Sequence, residues 1–331
     1  MQRRVCCNCV HDPTRRAMTA ILTITVNPAV DLSTEAPAVI PDRKLRCSAP
    51  RVQPGGGGVN VSRAIANLGG VSRTLLAFGG PTGMALTNAL RAEGLDLRGL
   101  GVDHPTRQSL SVRDAANGLQ YRFMMPGPDW TESDCATARA AILQALEPGA
   151  LVIPSGSYPP GLPDAFFVDL NRNVAAAGGR IILDTSGSAL RAAARTGTGL
   201  FALRMDHEEA QELSGARLKR LDDIADYASR LHRDTGSRIV MIAAGAMGTV
   251  IVTPDWRGLL RPPVVVPVSK VGAGDSFVGG FALALSRGDD PVSACAWGVA
   301  AAASAVTTPD TDLCDRADVE RFVTEVTRSA L

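Results

Sequence analysis

Short apolar runs recur along the chain, each bounded by glycine, serine or aspartate: ILTITV (21–26), ALVIPSG (150–156), RIILDTSG (180–187), LFALR (200–204), RIVMIAAG (238–245) and GTVIVTP (248–254). Such runs are too short for buried helices and too continuously apolar for strands with one face in water. Amphipathic stretches lie between many of them, with helices expected over Glu132–Leu146, Pro163–Ala177, Ala189–Arg195, Glu208–Leu213 and Asp222–Thr235. Strands separated by helices demand crossover connections, hence a largely parallel sheet covered on both faces. SRTLLAFG (72–79) adds a strand and GMALTNALRAEG (83–94) a helix.

Two early segments break the rhythm. AVDLSTE (29–35) and KLRCSAPRVQ (44–53) alternate polar and apolar residues, as do LSVRDA (110–115) and GLQYRFMMPG (118–127). They predict an exposed small sheet outside the main core, spanning about 30–53 and 107–125. No internal repeat or low-complexity linker divides the 331 residues, so one main domain over 19–331 is expected, with residues 1–18 as a disordered extension. Met18 is an equally good start. The Cys6, Cys7, Cys9 and His11 cluster fits no standard zinc spacing and reads as part of a tail.

A net charge of +1 and 4% aromatic residues speak against nucleic acid or an anionic membrane as the main partner. ACAWGVAAAASAV (294–306) is too short to span a bilayer and reads as a buried helix. Seven cysteines, mostly scattered, suit free thiols in a reducing cytoplasm.

Open parallel sheets bind ligands beyond the carboxyl ends of their strands, where NPAVD (27–31), SGSYPPG (155–161) and DTSG (184–187) fall. The run Gly55–Gly58 is a flexible turn or a close approach of backbone to a ligand, and Asn60 after it both donates and accepts. Lys44 and Arg46, two apart on an expected strand, either clamp an anion or protect a solvated edge, and Arg107 carries the same pair of readings. Asp31 suits sugar hydroxyls or a helix cap. In VGAGDSFVGG, Gly272, Ala273 and Gly274 open a helix whose free N–H groups suit an anion. Asp275 is then either a carboxylate welcome to the helix dipole or the base that deprotonates a hydroxyl attacking the phosphate held beside it.

Together, NPAVD, KLRC, PGGGGVNVSRAIANLGG, TRQSLSV, QYRFMMPG, SGSYPPG, DTSGSAL and VGAGDSFVGG, in this order from about Ile21 onward, resemble the PfkB-type (ribokinase-like) sugar kinases. KLRC, GGGG and QYRF are most similar to the minor 6-phosphofructokinase branch, whereas 1-phosphofructokinases typically carry GGKG. The resemblance implies a three-layer α/β/α sandwich with a β-sheet lid, a homodimer packed through the lids, MgATP as donor and fructose 6-phosphate as acceptor.

By position, Asp31, Gly56, Gly57 and Asn60 would hold the sugar hydroxyls. Lys44, Arg46, Arg107 and Ser157 would face phosphate, Asp275 would be the base, and Gly272–Gly274 the anion hole. Arg204, Asp206, Gly245, Gly248 and Lys270 fall on the nucleotide side, with Glu209 linked to Mg²⁺ through water. That side departs from the pattern: RMDHEE (204–209) replaces Lys-Pro-Asn-x-x-Glu, Ala243 replaces a Ser, Lys270 a Thr and Asp310 a Gly. Tagatose 6-phosphate or fructose 1-phosphate kinases are alternatives, as is a catalytically weak sugar-phosphate sensor.

Overall fold

The structure is a computed structural model and describes residues 18–309 and 312–331. The expected extension and Asp310 lie, apart from Met18, outside the described residues. In chain order the strands are β1 (Ile21–Thr25), β2 (Ala29–Ala36), β3 (Arg51–Gly55), β4 (Arg73–Phe78), β5 (Asp96–Gly101), β6 (Arg107–Asp114), β7 (Gln120–Met124), β8 (Leu151–Pro154), β9 (Arg180–Asp184), β10 (Ala202–Asp206), β11 (Ile239–Ala243), β12 (Thr249–Val252), β13 (Arg257–Arg261) and β14 (Thr327–Ala330). The helices are α1 (Gly57–Asn67), α2 (Gly80–Ala92), α3 (Glu132–Ala145), α4 (Phe166–Ala176), α5 (Gly187–Ala193), α6 (His207–Ser214), α7 (Leu221–Thr235), α8 (Ala273–Ser286), α9 (Pro291–Ala305) and α10 (Arg316–Phe322).

The large sheet runs β14-β13-β12-β11-β10-β9-β8-β1-β4-β5 and is parallel except for the antiparallel pairings of β11 through β14. Successive residues of a strand point to opposite faces, so the sheet feeds two cores. Leu22, Val152, Leu183 and Val240 pack with Ile142, Phe166 and Ile224 of α3, α4 and α7. Ile21, Ile153, Ile182 and Met241 pack with Val61, Phe281, Val299 and Phe322 of α1, α8, α9 and α10. The expected three layers are present.

α8 is apolar on every side because the sheet, α1 and α9 enclose it. A Cβ on Gly279 would lie 2.8 Å from that of Ala64, so glycine lets α8 and α1 approach closely. This packing fixes where the first turn of α8, with Asp275, meets the rest of the molecule.

The small sheet has the order β3-β2-β6-β7 and comes from the stretches whose alternation singled them out. Val30 anchors it on Leu76, Leu86 and Leu90 of β4 and α2. The strand expected over Lys44–Arg46 is not formed: residues 44–50 have no regular structure and are exposed, and pairing begins only at Arg51. Pro37, Pro41 and Pro50 lack ladder donors, and Asp42 turns the chain with φ 60°. Lys44 and Arg46 therefore share no sheet face. Asp31 likewise does not end the first strand; it lies within β2, opposite Gln53 and Ser109. β10 begins at Ala202 rather than Leu200 and reaches Asp206, which pairs with Ala243 of β11.

Candidate active site

Among the helices that begin at the carboxyl side of the large sheet with no side-chain cap are α1, from Gly56, and α8, from Gly272. Their first-turn N–H groups have no intrahelical acceptor, and each start carries positive partial charge. The Gly run lets α1 start against the sheet. Gly56 has φ 120°, and a Cβ on Gly57 would lie 2.5 Å from Ser155 Oγ and 2.6 Å from the Gly156 nitrogen. These contacts exclude a side chain, so close approach, rather than flexibility, explains the glycines. Gly58 N–H donates to the Ser155 carbonyl at 3.1 Å, tying the helix start to the end of β8.

Asn60, in the first turn of α1, reaches across to the first turn of α8. Its Nδ2 donates to Asp275 Oδ2 at 2.9 Å. Burial pushes the Asp275 carboxyl from 3.8 up to about 7, with the Asp184 and Asp31 charges adding to the rise and the Asn60 bond and Arg204 opposing it. Asp184, at the end of β9, accepts from Arg204 Nη1 at 2.9 Å and from Ser155 Oγ at 2.8 Å. The Arg204 guanidinium sits 5.9 Å from the Phe277 ring centroid, under the start of α8, and a Cβ on Gly274 would lie 3.0 Å from its Nη1. Burial disfavours this cation, but Asp184, Glu209 and Asp206 more than offset that and hold it charged. Its Nε is buried without a hydrogen-bond partner among the described residues, a donor available to an anion.

Asp31 rests against Gly55, where burial raises its pKa while Arg107, Arg122 and Ser109 favour the ionised form. Arg107 donates from Nε to the Asn27 carbonyl at 3.3 Å and from Nη1 to the Met125 carbonyl at 3.1 Å, joining the small sheet to the end of β1. Asn27 in turn donates from Nδ2 to Ser157 Oγ at 3.1 Å.

On the opposite flank, Asp206 caps α6. Its Oδ1 accepts from Glu209 N–H at 2.9 Å, and its own N–H donates to Glu209 Oε2 at 2.8 Å. Burial and the charges of Asp206 and Asp184 push Glu209 up to about 7. A carboxylate whose ionisation is opposed in this way suits a cation beside it. Gly245 and Gly248 shape the turn between β11 and β12, both at positive φ, and Lys270 is exposed just before the Gly272 turn.

A profile of the pfkB family carbohydrate kinases matches residues 19–318. The chain belongs to the pfkB family. As a pfkB kinase it is 34% identical over 302 residues to the ATP-dependent 6-phosphofructokinase isozyme 2 of Mycobacterium tuberculosis strain H37Rv, covering 91% of this chain and 88% of that one. Its fold is similar to phosphofructokinase-2 of Escherichia coli in complex with fructose-6-phosphate, with a TM-score of 0.86 at 33% identity, covering 93% of this chain and 99% of that one. The tetrameric inhibited form of the same Escherichia coli protein matches with a TM-score of 0.86 at 34% identity and the same coverage.

In this pfkB kinase the chain brings Asp275, Asn60, Gly56, Gly57, Asp31 and Arg204 to one place, and Arg107 and Ser157 adjoin it through Asn27. Lys44 and Arg46 make no recorded contact with that group among the described residues. Asn27, Ser155 and Asp184 open the NPAVD, SGSYPPG and DTSG segments that the sequence places at ligand-binding strand ends, but the sequence assigns none of the three an individual role.

Proposed function

We propose that this kinase is an ATP-dependent 6-phosphofructokinase, transferring a phosphoryl group to the 1-hydroxyl of fructose 6-phosphate. The observation that carries the reading is Asp275 held by Asn60 at the uncapped start of α8, with Arg204 beneath. The names of the relatives support the choice of sugar phosphate and donor.

Asp31, the Gly56–Gly57 backbone and Asn60 hold the sugar hydroxyls, and Arg107 and Ser157 hold its phosphate. Lys44 and Arg46 join from their loop only when it folds over the substrate. Asp275 accepts the proton of the attacking hydroxyl, and its pKa of about 7 places it near neutral operating pH. The Ala273 and Gly274 N–H groups, with Arg204, hold the oxygens that gain charge during transfer. Arg204, Asp206, Gly245, Gly248 and Lys270 line the nucleotide side.

Among the described residues no three His, Cys, Asp or Glu side chains converge on a ready-made cage. Glu209, whose ionisation burial, Asp206 and Asp184 oppose, would suit a Mg²⁺ ion held mainly by nucleotide phosphates and water. When bound, that ion neutralises phosphate charge. Glu209 orients its water shell, and Asp206 fixes Glu209 through the α6 cap.

The small sheet acts as the lid and as the dimer contact. A cross-strand row of Val52, Leu32, Leu110 and Phe123 crosses it, with Val52 59% and Phe123 51% exposed. An apolar row of this kind calls for a partner surface, here the same sheet of a second copy. The free thiols of Cys47, Cys135, Cys295 and Cys314 support a cytoplasmic setting.

The test is a coupled kinase assay across fructose 6-phosphate, tagatose 6-phosphate and fructose 1-phosphate with ATP and other nucleoside triphosphates. The highest kcat/KM with fructose 6-phosphate and MgATP is expected. Preference for another ketose phosphate would reassign the acceptor. Calorimetric binding of fructose 6-phosphate without turnover would leave a sensor.

A further inference from the structure

One sizeable cavity among the described residues lies not at the carboxyl ends of the strands but at the opposite rim of the sheet. It measures about 600 Å³ and opens where parallel strands begin, among Thr19, Arg180, Phe201 and Arg238, and is bordered by Leu285–Asp289 at the end of α8. That volume is the size of a metabolite. Asp275 lies in the first turn of α8 and Ser286 in its last, so the two sites stand most of a helix length apart, about 17 Å.

Three arginines enter this cleft. Arg180 lies over the Phe201 ring at 4.8 Å and Arg287 over the Trp297 ring at 5.8 Å, so aromatic faces hold both guanidinium planes in place. Arg238 stands close enough to Arg180 for its charge, after burial, to disfavour the Arg180 cation. Like charges brought together in a concavity cost free energy unless an anion offsets them. No ion pair joins Arg180, Arg238 or Arg287 to a carboxylate among the described residues, and Asp289 is the single acid in the lining.

We propose that this rear cleft is a second ligand site, which takes a small phosphorylated metabolite and grips its phosphate between Arg180 and Arg238, with Arg287 at the rim. Planar guanidinium groups with parallel N–H donors match phosphate oxygens, and their pre-positioning on aromatic rings reduces the entropy lost on binding. The site is separate from the reaction centre and independent of which sugar the kinase phosphorylates.

Inorganic pyrophosphate in magnesium-free buffer is the probe, titrated calorimetrically with fructose 6-phosphate present and followed by hydrogen exchange. Wild-type protein is expected to show saturable binding with protection over 285–291 and 236–240. Arg238→Gln, an exposed substitution, should lower affinity for this site about tenfold, and Arg180→Gln/Arg238→Gln should abolish the protection. Turnover of Arg238→Gln at saturating substrate should match wild type. Absence of protection at these segments in wild-type protein overturns the proposal, as does affinity within threefold of wild type in both variants.

Discussion

Replacing Asp275 by Asn separates the chemistry of this carboxylate from its effect on the fold. The Asn side chain can still accept from Asn60 Nδ2 through its oxygen, so the link between the two helix starts survives. What disappears is the proton acceptor, and a positioned base contributes about 10²–10⁴-fold, or about 3–5 kcal/mol of barrier. Stability should move the other way. The folded pKa, about 7, lies above the ordinary 3.8, so the folded state binds the proton more tightly. The charge therefore costs nothing below about pH 4, costs progressively more between 4 and 7, and levels off above 7. At pH 8 the cost is about 1–4 kcal/mol, the upper figure before solvent screening. Asp275→Asn should then lose at least a hundredfold in kcat in a coupled assay, keep fructose 6-phosphate affinity within a few-fold, and resist urea better than wild type at pH 8 but not at pH 4. Turnover within tenfold of wild type would refute the base assignment. A variant less stable at pH 8 would refute the view that burial and Asp184 strain this carboxylate.

Other perturbations address neighbouring parts of the site. In the free enzyme kcat/KM should rise with pH through about 7, and Asp184→Asn should move that limb to lower pH by removing a like charge, as a pH–rate profile would show. Gly57→Ala forces a methyl group against Ser155 and Gly156, so denaturant unfolding should report a loss of about 1–3 kcal/mol and the KM for the sugar phosphate should rise. Phe123→Arg places a charge in the exposed apolar row of the small sheet, and if that row is the proposed dimer contact, sedimentation should show a smaller species than wild type. Asp206→Asn keeps the α6 cap but removes a charge that raises Glu209, so the Glu209 carboxyl should titrate at lower pH than in wild type, as carboxyl NMR would show.

The large sheet was legible because its central strands are buried on both faces and read as unbroken apolar runs. Edge strands carry no such signal. β5 reads DLRGLG and β14 TRSA, both largely exposed, and only pairing with β4 and β13 makes them strands. The small sheet was legible from alternation, but the Lys44–Arg46 strand was not real, because alternation can imitate a strand where prolines prevent pairing. Asp275 and Asn60 were visible as members of glycine-rich helix starts. Their hydrogen bond joins residues 215 apart in sequence, a proximity set by the packing of α1 on α8. Asp184 was visible only as the start of DTSG at a strand end; its role rests on Ser155 and Arg204, which come from neighbouring strands of the sheet.

Two of the departures on the nucleotide side, Asp206 and Lys270, offset one another in charge, whereas Asp310 for Gly adds a further negative charge. Relative to the family pattern, Arg204 for Lys preserves a cation, Asp206 for Asn adds a negative charge, and Lys270 for Thr adds a positive one. The sum over the three positions is unchanged. Locally the effects are also matched: the Asp206 charge helps keep Arg204 ionised under α8 while its carboxylate is occupied by the α6 cap. Arg204 gains from the exchange what a lysine could not supply, a planar group that pairs with Asp184 on one edge, stacks near Phe277 and leaves Nε free. On the proposed reading, Arg204 and Asp206 would form a differently wired phosphate cradle, which a working kinase requires and a sugar-phosphate sensor does not.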